Sequence, residues 1–329
     1  LQGIPQDQYE AAHVDGASRW QSFWWITLPG LRSVSTTVIL LGIIWTFNLF
    51  AVIFFTTRGG PAGKTNILVT YAFEVFNQGT IFKEASWEFI GLDNYATVLQ
   101  DPLFAHALVW TIIWTVVNVF FHYVFGLLLA VVLNQRLKGR TGFRLMLLVP
   151  WAIPIYISAI GWSFIFNGEY GLLNNILAAL PGDFSRVAWY SEFPWYYVMP
   201  IIVNVWAGIP FMMVALLGGL QGIPQDQYEA AKVDGASRWQ SFWAITMPGL
   251  RTVSTTVILL GCIWTFNLFA VIFFTTNGGP AGTTEILVTY AFRVFNRGDY
   301  ALAATYGVII FSILIVFSLV YRRMSPESQ

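Results

Sequence analysis

The sequence predicts an all-α protein, a bundle that crosses a membrane about six times, and three observations carry that prediction: composition, long uncharged runs and one basic loop. Of its 329 residues 56% are hydrophobic, 17% aromatic and only 10% charged, which is not the balance of a water-soluble enzyme. A hydrocarbon core of about 30 Å takes roughly 20 apolar helical residues to cross. Six stretches free of Asp, Glu, Lys and Arg meet that length: 34–56, 103–133, 145–166, 194–220, 253–276 and 300–321. The segment 134–144 carries Arg136, Lys138, Arg140 and Arg144 with no acid, so the positive-inside rule places it in the cytoplasm.

Alternation from that loop assigns each element in order. The run 34–56 leads outward, and the acid-containing stretch 64–101 lies outside. Run 103–133 returns; run 145–166 leads out again, with Pro150 and Pro154 predicting a kink. The stretch 167–192 is outside, and run 194–220 returns with two further helix-kinking prolines, Pro200 and Pro210. Segment 221–251 is then cytoplasmic, and Arg322 and Arg323 close the last run on the same side. The chain opens in mid-motif at Leu1 without a cleavable signal, so position 1 reads as a cut end.

Charge and chemistry narrow the function. Seventeen basic residues balance seventeen acidic ones, leaving no field to hold nucleic acid. A single cysteine, Cys262, and three histidines supply neither an intrachain disulfide nor a metal cluster, so no cofactor and no metal are expected. No G-x-x-x-x-G-K-[ST] occurs; the GGPAG runs at Gly59 and Gly278 lack its lysine and read as tight external turns. Catalysis by this chain is not expected, because no nucleophile stands beside a base and the spans hold no carboxylate pair.

The chain repeats itself. LQGIPQDQYEAAHVDGASRWQSFWWITLPGL at Leu1 returns at Leu220 with an offset of 219, and about ten of roughly 79 aligned positions differ. Among them are His13 against Lys232, Trp25 against Ala244 and Glu74 against Arg293. Residues 1–79 are thus a near-duplicate of 220–298, a recent duplication, fusion or assembly artefact, and 80–329 form the transmembrane domain.

Each copy holds Glu-Ala-Ala, three residues, Gly, nine residues, then Ile-x-x-Pro. The residues are Glu229, Ala230, Ala231, Gly235, Ile245 and Pro248, with Glu10, Gly16 and Pro29 in the duplicate. This pattern predicts a short helix, a break at Asp234-Gly235, and a second helix whose Trp239, Phe242 and Trp243 can lie against a partner. The loop resembles the EAA loop of permease subunits of binding-protein-dependent ABC importers, above all the carbohydrate permeases related to the maltose system. The resemblance runs from Trp87 to Arg323 and includes FIGLDNY, LNQRLKGRTGFR, LVPWAIP, GIPQDQYEAAKVDGA and TTNGGPAGTTEIL. It departs at Met247-Pro248, where such loops carry Leu-Pro, and at 1–79, which stand where these permeases carry a different first span.

The resemblance implies a MetI-like permease fold in a bacterial inner membrane and a cytoplasmic coupling helix beginning at Glu229. It implies partners as well: an ABC ATPase subunit dimer that hydrolyses the ATP, a second permease subunit, an extracytoplasmic solute-binding protein, membrane lipid and a carbohydrate substrate. Glu229 would be the charged contact with the ATPase, and Gly235 would permit the turn between the two arms.

Two stretches suggest the substrate path, since sugars bind by hydrogen bonds and stacking on aromatic faces. In NVWAGIPF, Asn204, Ala207, Gly208 and Phe211 share one helical face; in GCIWTFNLF, Gly261, Trp264 and Thr265 form a stripe with Asn267 beside it. Both resemble segments lining the sugar site of maltose-type permeases, with helix packing as the competing reading of the same residues. His122 and Asn118, one turn apart, read as an interhelical hydrogen-bond pair rather than a proton relay. Two other functions are weighed: a secondary transporter, disfavoured by uncharged spans, and a non-transporting assembly or decoy subunit with a second docking loop.

Overall fold

The structure, a computed structural model, describes residues 6–31, 90–135, 138–181 and 186–324. The chain divides into two compact units, Leu1–Ser86 and Trp87–Gln329. Run 34–56 and the external stretch up to residue 89 lie outside the described residues.

In the first unit the helices are α1 (Gln6–Val14), α2 (Arg19–Ser22) and α3 (Leu28–Gly30), with a π-helical turn at Phe23–Thr27 between the last two. The second unit begins with α4 (Asp93–Gln100) and the 33-residue α5 (Pro102–Asn134), followed by α6 (Arg140–Ala152), α7 (Ile155–Ile165), α8 (Leu172–Ala179) and α9 (Trp195–Gln221). A loop of short pieces comes next: α10 (Gln225–Val233), α11 (Arg238–Ser241), a π-helical turn at Phe242–Thr246 and α12 (Met247–Gly249). The chain closes with α13 (Arg251–Phe266), α14 (Phe269–Thr275), α15 (Leu287–Asn296) and α16 (Tyr300–Met324). All regular structure among the described residues is helical, as expected.

Three helices are long and apolar enough to cross a membrane alone, and two bent pairs raise the number to five. The expected span 145–166 is one of these pairs: α6 and α7 meet at 89°. Pro150 is absorbed inside α6, and the break falls at Ile153–Pro154, because a residue before proline is pushed out of the helical region. By contrast α9 is assigned as one helix through both Pro200 and Pro210. The expected span 253–276 is broken instead at Asn267–Leu268, between α13 and α14.

Helix α5 is the axis of the second unit. Asp101 caps it, its carboxylate accepting from the Leu103 amide at 2.9 Å, and Pro102 occupies a first-turn position that needs no donor. One face packs against α9 so closely that a Cβ on Gly126 would lie 2.6 Å from that of Met212. Without a hydrophobic drive between helices in lipid, such small-residue contacts are what hold membrane helices together. Trp114 is wholly buried and donates to the Thr265 carbonyl at 3.0 Å, at the end of α13 where the helix breaks. The Leu268 amide reaches the same carbonyl at 3.2 Å, so the carbonyl at the break is shared between the backbone turn and the indole. The opposite face of α5 leaves Val109, Val116 and Phe120 more than half exposed, and α16 does the same with Phe311, Val316 and Leu319, as lipid-facing surfaces require.

Candidate functional site

The loop between α9 and α13 explains its own sequence spacing. Helix α10 ends in a Schellman turn: the Ala236 amide reaches back to the Ala231 carbonyl at 2.8 Å, and the Gly235 amide to Lys232 at 3.2 Å. Gly235 has φ +80°, a conformation that side chains resist, so the interval from Ala231 to Gly235 is the interval this cap demands. Asp234, between them, is exposed at the helix end. Immediately afterwards Ser237 and Gln240 form a reciprocal capping box that starts α11. Two turns separated by two residues leave this corner little freedom.

A second tie joins the arms. The Tyr228 hydroxyl, on α10, lies 2.9 Å from Thr246 Oγ1, at the end of the π-helical turn. Ile245 is half-buried beside it, and Pro248 sits in the first turn of α12. Leu250 then anchors the loop, completely buried among Leu220, Val257 and Leu216 of α9 and α13. At the base, the Gln221 amide faces Arg140 and Arg144 of α6, and with its oxygen turned toward them it accepts from Arg140 at 2.6 Å and Arg144 at 2.8 Å. The helices on either side of Leu250 diverge by 65°.

What this frame holds outward is an acid among apolar side chains. Glu229 is exposed and held by Gln225 at 3.1 Å, and Ala230 is exposed next to it. Val233, Trp239 and Trp243 are 87%, 69% and 54% exposed, with Trp239 stacked on Phe242 at 6.0 Å and 18°. These large side chains are held in place and left uncovered.

The residues expected along the substrate path have different neighbours. Asn204 is buried against α5, its carbonyl 2.9 Å from His122 Nε2, and its amide nitrogen is buried without a hydrogen-bond partner. Gly208 lies under the same imidazole: a Cβ there would sit 2.3 Å from it. Gly261 is likewise filled by the methyl end of Met212, at 2.7 Å from a hypothetical Cβ. These three positions serve helix packing, and so does the Thr265 carbonyl that receives Trp114. Asn267 is exposed and donates to Ile263 at 3.1 Å across the end of α13. Phe211 and Trp264 do come together, ring centroids 4.9 Å apart and planes inclined at 66°, and Trp151 of α6 lies 6.2 Å from Phe211. Trp151 was not expected here; its place beside two prolines at the α6–α7 bend was the available signal. Asn118 does not pair with His122 but donates to the Trp114 carbonyl of its own helix at 2.7 Å.

Comparison with known proteins gives the family. The family described as "Binding-protein-dependent transport system inner membrane component" matches residues 1–124 and 122–328. The trehalose/maltose transport system permease protein MalF of Thermococcus litoralis is 39% identical over 236 residues, 72% of this chain and 79% of that protein. The maltose/maltodextrin permease MalF of Klebsiella aerogenes is 36% identical over 249 residues, covering 70% of this chain and 48% of its own. Among solved structures, a bacterial ABC transporter involved in importing the acidic polysaccharide alginate has the same fold, with a TM-score of 0.67 at 22% identity over 90% of this chain and 99% of that one. With a family match across nearly its whole length and a maltose-type relative above 35% identity, the chain belongs to the inner membrane components of binding-protein-dependent transport systems.

Proposed function

We propose that the chain is the permease subunit of an ATP-driven carbohydrate importer, passing sugar from an extracytoplasmic binding protein to the cytoplasm by alternating access. It works beside a second permease subunit, and a separate ATPase dimer hydrolyses the ATP. The observation that carries this reading is the loop from Glu229 to Pro248, a rigid two-armed element presenting a carboxylate and exposed tryptophans from the end of α9. In this role Glu229, Ala230 and Ala231 seat in a cleft of the ATPase, and Asp234-Gly235 with Ile245 and Pro248 pass its movement through Leu250 into the bundle. Relatives named for maltose and trehalose support carbohydrate as the substrate class. Phe211, Trp264 and Trp151 are the stacking surface that sugar would use, with Asn267 the exposed amide beside it, whereas Asn204, Gly208, Gly261 and Thr265 position the helices around them.

The experiment is sugar uptake by proteoliposomes holding the complete transporter. Glu229→Lys puts a cation where the partner cleft needs an acid, and losing a desolvated interfacial pair commonly costs about 2 to 5 kcal/mol. Gly235→Asp strains the left-handed cap. Both variants are expected to insert normally and lose at least nine-tenths of uptake; normal uptake in both would remove this function.

A further inference from the structure

Residues 6–31 lie in the other unit, yet they fold into the loop just described. The Ala17 amide reaches the Ala12 carbonyl at 2.9 Å, the Gly16 amide reaches His13 at 3.1 Å, and Gly16 has φ +75°. Ser18 and Gln21 form the capping box, the π-helical turn follows, and the Tyr9 hydroxyl lies 2.8 Å from Thr27 Oγ1. Of the residues that differ in this stretch, His13, Trp25 and Leu28, none supplies a side chain to the turn, the box or the tie. The outward surface is repeated as well: Glu10 is exposed, and Val14, Trp20 and Trp24 are 85%, 70% and 52% exposed, with Trp25 adding a further indole at 80%.

From this we infer that residues 6–31 are a second docking element for an ABC-type ATPase subunit, so that one copy of this chain holds two such subunits. The inference rests on the reading of the Glu229 loop as an ATPase contact. A cleft that accepts a helix with a carboxylate at one position, valine four residues on and a tryptophan pair after a glycine corner meets the same chemistry in both loops. Three features argue that the first loop is a recognition surface in its own right. Its form is specified locally, by hydrogen bonds within residues 6–31. Its valine and two tryptophans are exposed to within about two percentage points of those of the second loop. Its acid is retained at the equivalent place, offering a cationic partner the same counter-charge.

The test mixes the full chain in detergent with the ATPase subunit of a trehalose/maltose-type importer, without a second permease, and measures bound ATPase per chain by light scattering. Wild type is expected to hold two. Glu10→Lys alone and Glu229→Lys alone each reduce the ratio to one, with at least tenfold weaker binding of the lost subunit, and the double variant retains none. Glu10 is exposed, so its substitution leaves the fold intact; Glu10→Gln, which keeps the shape and removes only the charge, gives an intermediate loss. A wild-type ratio of one that Glu229→Lys abolishes and Glu10→Lys leaves alone overturns the second element and keeps the first. Retention unchanged by every variant overturns both.

Discussion

The two copies of the repeat share the fold of the Glu-Ala-Ala loop and differ in sequence after the GGP turn. Residues 6–31 and 225–250 share a Schellman turn, a capping box, a π-helical turn and a Tyr–Thr tie, although Leu250 is sealed in the bundle core and Leu31 is only half-buried. Local hydrogen bonds therefore specify this loop, and burial of its anchor is not required to form it. The second copy's outer turn depends instead on residues brought together from a distance. Asn277–Gly282 runs through four positive-φ positions, Thr276 and Thr284 bond each other at 2.7 Å, and buried Glu285 pairs with Arg293 of α15, which also donates to the Asn277 carbonyl at 2.8 Å. A Cβ on Gly278 would collide with that pair. Burial pushes the Glu285 carboxyl above its usual range, while the Thr289 hydroxyl and the charges of Arg293 and Arg297 pull it back. The first copy has Asn66 and Glu74 at the positions of Glu285 and Arg293, so this ion pair is absent from its sequence. A loop closed by neighbours in sequence carries its own specification; a turn closed by a buried charge pair needs both partners.

Exchanging those residues gives the larger of two stability effects. Arg293→Glu leaves a second acid beside buried Glu285 and is expected to cost about 3 kcal/mol, the lower end for breaking a buried pair, since the Arg293 side chain is 37% exposed. Thermal unfolding in detergent reads it. Adding Glu285→Asn, which completes the first copy's combination, should recover more than half of the loss; no recovery would mean that the two residues are not coupled.

A smaller effect separates local from tertiary support. Tyr228→Phe removes one partly buried hydroxyl contact, worth about 1 kcal/mol. Tyr9→Phe removes its twin. Hydrogen exchange at the amides of the two π-helical turns should accelerate by roughly fivefold in each case, in line with about 1 kcal/mol. Acceleration confined to Tyr9→Phe would show that the bundle, and not the tie, stiffens the second loop.

Much of the fold was legible because lipid imposes length and charge rules that a sequence displays openly. The long helices α5, α9 and α16 fall where uncharged runs of adequate length fall. Their breaks were harder to see. Pro154 marks the α6–α7 bend, but nothing in TFNLF marks the one at Asn267, beside which Trp114, 151 residues before Thr265, donates to the Thr265 carbonyl. The loop from Glu229 was legible in outline because Glu-Ala-Ala and Gly sit at cap spacing, and the Tyr228–Thr246 tie was missed because its partners lie 18 residues apart. Along the substrate path helical spacing grouped Asn204, Gly208 and Phe211, and His122 then claimed the first two. Periodicity tells which residues share a face; it does not tell which neighbour covers it. The Glu285–Arg293 pair went unread too, since an acid and a base eight positions apart straddle the start of α15 rather than one helical face.

The most direct measurement of ATPase coupling is ATP hydrolysis by the assembled transporter in liposomes, with and without sugar-loaded binding protein, in wild type and Glu229→Lys. Coupling through this loop predicts stimulation in wild type and at least a tenfold smaller response in Glu229→Lys at equal permease content. Full stimulation in the variant would contradict it.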